Sequence, residues 1–291
     1  MKHVLVRELV QLCDRNRDGS FSTQAARKTI LIQAGKDLLA AGFRNLGVAG
    51  LKPKHIGSLV DRWTADGVSD ATMKNRLSHL RWVVEKIGKQ NIVPRTNAEL
   101  GIGRRRYVTN ESKAVTVSDD ALAKITDERL RISIELQRAF GLRRAEAIKF
   151  TPSYAMAAGD DRIFLKSSWC KGGRAREVPI RNGYQGEVLA RAAALAGTGS
   201  MIPPNKRYVD QLKRYENATA RAGLSKLHGL RHEYAQHRYH DLAGWECPAK
   251  GGPTAKQLTP EQKTIDLRAR LQISQELGHN REAITGVYLG R

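Results

Sequence analysis

The sequence HGLRH at residues 228–232 decides what kind of fold and chemistry this chain carries. On a helix, His228 and Arg231 stand at positions i and i+3, so their side chains project from one face. An imidazole beside a guanidinium forms a phosphate-binding surface, because arginine offers two parallel donors to two phosphate oxygens. The alternative is that these side chains simply cover the surface of a helix.

The same stretch raises the question of a metal site. His228 and His232 are spaced i, i+4, and His237 and His240 follow. However, the segment has no suitably placed carboxylate and no cysteine pair to complete a coordination shell. We therefore expect no metal and no other cofactor.

A second stretch, AFGLRRAE at residues 139–146, places a glycine between two helical patterns. The break at Gly141 lets Arg143 point into a pocket, and Glu146, one helical turn further on, can support it. Taken alone this pattern is weak, since arginines at helix ends commonly interact with the helix dipole.

Two further stretches contribute a lysine and a tyrosine. Lys171 lies in a Lys-Gly-Gly turn between two strand-like segments, where a cation can reach into a groove, although Lys166 is close by. Leu277-Gly278-His279 is followed nine residues later by Tyr288. A tyrosine at such a position is ordinarily a packing residue and needs other support.

The charge of the chain indicates a polyanionic partner. Its 291 residues carry 50 Lys and Arg against 29 Asp and Glu, a net charge of +21. Residues 1–110 hold 20 basic and 9 acidic side chains, and the remainder holds 30 and 20. Both halves are basic, as expected if both grip a phosphate backbone. The alternative is a generally basic surface without a specific partner.

Cysteine usage and hydropathy predict a reduced, cytoplasmic protein. Cys13, Cys170 and Cys247 have neither metal nor redox spacing, so a disulfide framework is not expected. No apolar run is long enough to span a membrane, and we expect no signal peptide.

The periodicity predicts a mostly α protein with a small antiparallel β-sheet (α+β), divided into residues 1–108 and 109–291. The first part is expected to contain four helices, including one with Ala26, Ile30, Ala34 and Leu38 inward and capped by Ser22 or Thr23. Another is expected to begin near Pro53 with an inward stripe, and Ser69 is expected to cap the next. The stripe consists of Ile56, Leu59, Val60 and Trp63. Residues 91–112 are expected to form a basic linker. Strands are predicted at 162–168 and 176–180, and residues 244–260 are expected to form a surface insertion.

Basic residues on predicted helix faces, in the linker and near the Arg143 and Lys171 stretches are the candidates for contacts with a phosphate backbone. They are Lys74, Arg76, Arg81, Arg104, Arg105, Arg106, Arg144 and Arg174, with Lys86 on the same helix as the first three.

Taken in order, these four stretches resemble the tyrosine recombinase family, and its phage-type integrases in particular. The shared features are a G-[LM]-R-x-x-E box, a β-turn lysine, an H-x-L-R box, an L-G-H box, and a tyrosine nine residues after the last histidine. The motifs cover residues 115–291 approximately. Before that, the resemblance depends only on a helical unit that suits a core-type DNA-binding domain.

The resemblance implies a role for each matching residue. Arg143 and Arg231 match two phosphate-clamping arginines, His228 and His279 match the two histidines, and Lys171 matches the lysine. Tyr288 matches the nucleophile, with Glu146 as a supporting residue. Such an enzyme cuts DNA through a 3′-phosphotyrosine and rejoins it without ATP or metal.

The implied function is site-specific recombination of double-stranded DNA for integration or excision of a prophage or mobile element. The resemblance implies a C-shaped clamp that is a monomer when free and a tetramer on synapsed DNA, with accessory bending or directionality factors. The alternatives are a DNA-relaxing enzyme similar to type IB topoisomerases and a catalytically silent DNA-binding regulator.

Two departures from the family pattern bear on these expectations. Residues 240–262 look inserted between the H-x-L-R and L-G-H boxes. Only three residues follow Tyr288, so coupling between subunits is expected to use another element. The chain also leaves no room for an extra amino-terminal domain that reads distant DNA sites.

Overall fold

The computed structural model describes residues 3–104, 107–157, 159–279 and 281–291. Arg105 and Arg106, two of the expected DNA contacts, lie outside the described residues. The chain divides into two compact units, residues 1–106 and 107–291. Within the described ranges, no helix is both long and apolar enough to cross a membrane. The prediction of a mostly α fold with a small antiparallel sheet is confirmed.

The first unit is built from four helices, α1 Val4–Arg15, α2 Phe21–Ala40, α3 Pro53–Ala65 and α4 Asp70–Lys86. Ser69 caps α4 by accepting a hydrogen bond from the Thr72 amide, and Pro53 occupies the first turn of α3, as the sequence predicted. The predicted inward stripe of α3 is buried, and Trp63 at its end is only 1% exposed.

The inward face of α2 was predicted correctly at Ala34 and Leu38, which are buried, and wrongly near its start. Ala26 is exposed and Ile30 is half-buried, whereas Leu31 is fully buried. The cap is Ser20, which accepts from the Thr23 amide, and not Ser22 or Thr23. The helix therefore begins two or three residues earlier than expected, and Asp37 joins its buried face because the Trp63 indole donates to it.

The second unit holds nine helices and two strands in the part of it that the structure describes. The helices are α5 Asp119–Ala123, α6 Glu128–Phe140, α7 Arg144–Lys149, α8 Pro152–Ala155, α9 Gly183–Ala196, α10 Tyr208–Arg221, α11 Gly229–Ala243, α12 Pro260–Glu276 and α13 Glu282–Leu289. Helix α11 packs against α6, α12 and α13, and therefore runs through the core.

The two strands, β1 Arg162–Leu165 and β2 Arg176–Pro179, pair antiparallel, with Leu165 opposite Arg176. Both are shorter than predicted, because Ser167–Trp169 forms a 3₁₀ turn instead of continuing β1. A turn follows in which the Gly173 amide donates to the Cys170 carbonyl at 3.1 Å. Lys171 therefore lies at the tip of a turn, as predicted.

The prediction that residues 244–260 form a surface insertion is wrong in part. Cys247, Ala249 and Leu258 are buried, and the 3₁₀ turn Pro248–Lys250 packs against α13. Apolar side chains interspersed among glycine, proline and lysine bring the segment into the core. It supports the helix that carries Tyr288.

We predict that Gly229→Ala destabilises the second unit. A Cβ at this position would lie 2.4 Å from a methyl group of Val115 and 2.7 Å from the Lys113 carbonyl oxygen. Such overpacking costs about 1–3 kcal/mol, which outweighs the higher helix propensity of alanine. Urea unfolding followed by circular dichroism measures the change.

The matched control is Gly186→Ala, which lies on α9 with open space around its Cβ. It is expected to raise stability by about 0.5–1 kcal/mol. Equal effects of the two substitutions would show that the packing at Gly229 does not constrain the fold.

Candidate active site

Arg231 is the most deeply buried of the candidate catalytic side chains, with 1% of its surface exposed. It lies in the first turn of α11. Its guanidinium donates to the Gly141 carbonyl at 2.5 Å and to the Leu277 carbonyl, and its Nε lies 3.3 Å from the Tyr288 hydroxyl. The position of Arg231 is thus fixed by the ends of two other helices.

Arg143 directly precedes α7 and is held by the carboxylate of Glu146. One oxygen of Glu146 accepts from the Arg143 amide at 2.7 Å, and the other accepts from its guanidinium at 2.8 Å. The side chain of Arg143 keeps 21% of its surface exposed. It can therefore present its remaining donors to a ligand.

Glu146 is the negative centre of this cluster and is fully buried. Burial by itself would raise its pKa, but hydrogen bonds and charge from Arg176, with the charges of Arg231 and Arg143, lower it to about 2. The carboxylate is therefore ionised across the physiological pH range.

Tyr288, on α13, is 6% exposed, and its hydroxyl points toward Arg231. Its ring stacks on His279 with centroids 5.4 Å apart and lies 4.6 Å from the ring of His232. Its carbonyl accepts from the Gln236 amide at 3.0 Å. The helix and its phenol are docked in the second unit of the same chain.

The histidines around Tyr288 are held neutral. Burial and the charges of Arg231, Arg143 and Arg176 lower the pKa of His279 to about 3. Burial, with smaller effects from His228, Lys113 and Arg231, lowers the pKa of His232 to about 4. Burial and the charges of Arg231, Arg143 and Lys171 also lower the pKa of His228. Neutral imidazoles can accept protons.

An open cleft of about 560 Å³ lies beside this cluster, and Arg143, Lys171 and His228 all line it. Lys171 is exposed at the turn before β2. The neighbouring Lys166 instead lies over the ring of Tyr154, with its Nζ 5.3 Å from the centroid. The structure therefore favours Lys171 over Lys166 as the lysine that reaches a ligand in the cleft.

The structure thus brings the six predicted catalytic residues together. Arg231 contacts Tyr288 and lies 3.4 Å from the His279 Nε2. The Leu277 carbonyl, which accepts from Arg231, also accepts from Arg143 at 3.5 Å. The cleft connects Arg143 to Lys171 and His228. Among the described residues there is no group of three His, Cys, Asp or Glu side chains that could hold a metal ion.

The predicted DNA contacts are placed less uniformly. Arg104, Arg144 and Arg174 are exposed, with Arg144 paired to Glu216 at 3.0 Å. Arg81 is half-buried and donates to the Pro94 carbonyl and to Asn97, so the expectation that it is free on an exposed face is wrong.

The other residues predicted on the same helix also differ in exposure. Arg76 is half-buried over the Trp63 ring and Lys74 is half-buried, while Lys86 is exposed. The exposed basic face predicted for α4 is therefore narrower than expected, because Lys74, Arg76 and Arg81 are half-buried and Lys86 is exposed.

Three further residues belong to the site and were not predicted from the sequence. Arg176 is buried beside Glu146 and binds both of its oxygens. Gln236 holds the Tyr288 carbonyl. Lys226 lines the cleft with a φ of 54°, a conformation that costs free energy in a residue other than glycine. Only Arg176 had a visible signal, an inward position in a strand pattern.

Buried arginines around a tyrosine, next to a cleft lined by Arg143, Lys171 and His228, form a site suited to an enzyme that acts on a phosphodiester. Family models agree with this assignment. "Phage integrase, N-terminal" matches residues 1–93, and "Integrase" matches residues 103–237. The chain belongs to the phage-integrase family of tyrosine recombinases and is a site-specific recombinase.

Solved structures show the same fold. A lambda integrase dimer bound to a COC′ core site matches with a TM-score of 0.61 and 16% identity over 97% of this chain and 78% of that one. The Tn1549 transposon integrase in complex with circular intermediate DNA matches with a TM-score of 0.56 and 13% identity over 98% and 95%. The search of curated proteins returned no match.

We predict that Glu146→Gln destabilises the second unit at neutral pH by about 3–5 kcal/mol, because it leaves buried guanidiniums without a counter-charge. The folded-state pKa of Glu146 lies below its unfolded value, so its contribution is present above about pH 4.5 and is lost as the pH falls toward 2. The difference between wild type and variant should be about 1 kcal/mol smaller at pH 3.5 than at pH 6.

Urea unfolding at both pH values measures this difference. The control is Glu177→Gln, whose carboxylate pairs with Arg162 on the exposed side of the hairpin and should change stability by less than about 1 kcal/mol. A difference between wild type and Glu146→Gln that does not change with pH would mean that the charge of Glu146 is not what stabilises the cluster.

Proposed function

We propose that this recombinase cuts double-stranded DNA with Tyr288 and integrates or excises a prophage or mobile element. The observation that carries the proposal is the approach of the Arg231 guanidinium to the Tyr288 hydroxyl at 3.3 Å inside a cationic site. A nucleophile and a phosphate-binding cation that share one pocket can act on the same phosphorus.

The two arginines stabilise the reacting phosphate. In the transition state the two non-bridging oxygens of the phosphodiester gain negative charge. Arg143 and Arg231, held in place before substrate arrives, donate to them, and loss of one such donor typically costs about 3–4 kcal/mol. His279 Nε2, next to Arg231, hydrogen-bonds a phosphate oxygen.

Proton transfer is divided between two residues at the cleft. Tyr288 loses its proton to His228, whose ring centroid is 6.1 Å from that of the tyrosine and which is neutral. The Tyr288 oxygen forms a bond to phosphorus as the bond to the 5′ oxygen breaks. Lys171 donates a proton to that oxygen, which leaves a 3′-phosphotyrosine and a free 5′-hydroxyl.

The covalent link preserves the energy of the broken bond. A hydroxyl from another strand attacks the phosphotyrosine, reforms a phosphodiester and releases Tyr288, so rejoining needs neither ATP nor metal. Before the first attack the Tyr288 hydroxyl must move away from Arg231, since a phosphate oxygen has to take that place.

The proposed DNA partner is supported by the net charge of the chain and by the solved structures that share its fold. The chain carries a net charge of +21, and the matched integrase structures hold DNA. We propose that both units contact the duplex, with exposed Arg104, Arg144 and Arg174 on phosphates. Assembly into a tetramer on synapsed DNA, a free monomer, and a cytoplasmic location belong to the same proposal.

We predict that Tyr288→Phe abolishes covalent attachment to DNA, because the ring remains but the nucleophilic oxygen is lost. The assay uses a duplex that carries the attachment-site core from the flanks of the encoding gene, with a nick close to the cleavage site. After cleavage the short strand with the freed 5′-hydroxyl diffuses away, so the covalent adduct is trapped. Denaturing electrophoresis then measures the adduct.

The control is Tyr154→Phe, whose ring lies against Phe164 and Trp169 and should leave adduct formation unchanged. Adducts that persist in Tyr288→Phe would exclude Tyr288 as the nucleophile. Adducts that form on any duplex, with relaxation of supercoils, would instead indicate a topoisomerase-like enzyme.

We also predict that Lys171→Ala slows cleavage by roughly 10²–10⁴-fold, the range for loss of a general acid. A substrate with sulfur in place of the 5′ bridging oxygen should restore the rate, because a thiolate leaves without a proton. Lys166→Ala is the control and should cleave both substrates normally. If sulfur rescues Lys166→Ala and not Lys171→Ala, the acid has been assigned to the wrong lysine.

A further inference from the structure

Arg176 is a buried cation that the reaction described above does not use. Its side chain is 5% exposed and its donors are taken by protein groups, so it does not face the cleft as a free phosphate ligand. We propose that Arg176 is a positioning residue that holds three separate parts of the catalytic cluster in register. This proposal rests on the function proposed above.

The first part is Arg143, which Arg176 reaches through Glu146. Two Arg176 nitrogens donate to the two Glu146 oxygens at 3.0 and 2.7 Å. The same oxygens accept from the guanidinium and the amide of Arg143. Glu146 is therefore clamped from both sides, and its orientation sets the direction in which Arg143 points.

The second part is the segment that leads to His279. The Nε of Arg176 donates to the Glu276 carbonyl at 2.8 Å. Gly278 lies directly against the Arg176 side chain, since a Cβ there would be 2.9 Å from the arginine Cδ. Its φ of 66° also favours glycine. The backbone before His279 therefore packs directly against Arg176 in a way that only glycine at position 278 permits.

The third part is the turn that carries Lys171. Arg176 donates to the sulfur of Cys170 at 3.3 Å, and Cys170 is bonded to Lys171. The Cys170 carbonyl also closes the turn by accepting from Gly173. Arg176 therefore ties the base of the lysine turn to the carboxylate that holds Arg143.

Only arginine supplies this set of contacts. Its planar fork presents donors in fixed directions to a carboxylate, a carbonyl and a sulfur at once, whereas lysine has a single ammonium on a flexible stem. Arg176→Lys keeps the charge and loses the fork. Arg176→Met keeps much of the apolar stem and loses both the charge and the planar fork of donors.

The test measures adduct formation at saturating DNA separately from the DNA concentration that gives half the maximal rate. Misplacement of catalytic groups by about 1 Å can cost roughly 10²-fold in rate, and we expect a loss of about that order in both variants. Half-saturation should shift by less than about threefold, because Arg176 contacts no DNA while the exposed basic residues remain.

Arg129→Met is the matched control. Arg129 is also a structural arginine, which donates to the Ser200 and Leu195 carbonyls away from the cluster. It should lower stability in urea unfolding without lowering the saturated rate of the folded protein. If Arg176→Lys and Arg129→Met both leave that rate unchanged, Arg176 has no positioning role.

A pH profile gives a readout that general loss of stability would not move. Glu146 is faced by Arg143 from its own helix, Arg176 and Cys170 from the hairpin region, Arg231 and His228 from α11, and His279. Without Arg176, burial raises the pKa of Glu146. The saturated rate of Arg176→Met should therefore fall more steeply than that of wild type as the pH is lowered from 7 to 5, and parallel profiles count against the proposal.

A measurement without turnover separates this proposal from the proposed function. Inorganic phosphate is titrated into wild type and Arg176→Lys while the imidazole signal of His279 is followed by NMR. We expect a shifted His279 signal in the variant and phosphate binding weakened by about tenfold. If wild type and Arg176→Lys give the same His279 signal and the same phosphate affinity, the positioning role is overturned, whether or not wild type forms an adduct. If wild type forms no adduct but the two proteins differ in this measurement, only the proposed function is overturned.

Discussion

The buried carboxylate of Glu146 is the constraint on which the second unit depends. Three guanidiniums, from Arg143, Arg176 and Arg231, lie close enough to lower its pKa to about 2. Burial of that much positive charge without a counter-ion would cost several kcal/mol per ion. Because these arginines come from three distant parts of the chain, the carboxylate binds Arg143 before α7 and Arg176 on β2, and its charge also acts on Arg231 of α11.

A single carboxylate does not satisfy three cations, and the ends of two helices supply the remainder. Helix α6 ends at Gly141 with a φ of 60°, and its carbonyl accepts from Arg231. Helix α12 ends at Leu277, whose carbonyl also accepts from Arg231. The carboxyl end of a helix carries partial negative charge, so both ends solvate the buried cation. Gly141 of the G-L-R motif and Leu277 of the L-G-H motif thus bind the same arginine through their carbonyls.

Much of the fold could be predicted because it depends on local patterns, whereas the six candidate catalytic residues were named from the joint order of motifs that are each weak alone. Ser69 before α4 and the stripe that includes Trp63 on α3 follow from capping and helical period. Arg176 shares the inward phase of Val178 in the predicted strand, but its link to Glu146 could not be predicted, because that contact joins parts of the chain 30 residues apart. The same limit applies to Cys247, whose burial against distant elements leaves no trace in a glycine- and lysine-rich segment.

Burial and the excess of positive charge together explain why the histidines remain neutral. Burial and the charges of Arg231, Arg143 and Arg176 lower the pKa of His279 to about 3, because the one carboxylate of Glu146 does not offset the repulsion from three guanidiniums. A phosphodiester in the cleft brings a negative charge that offsets this repulsion and raises the affinity of nearby imidazoles for a proton. In the proposed mechanism, His228 therefore becomes a stronger base when DNA is in place, which restricts deprotonation of Tyr288 to the complex in which attack can follow.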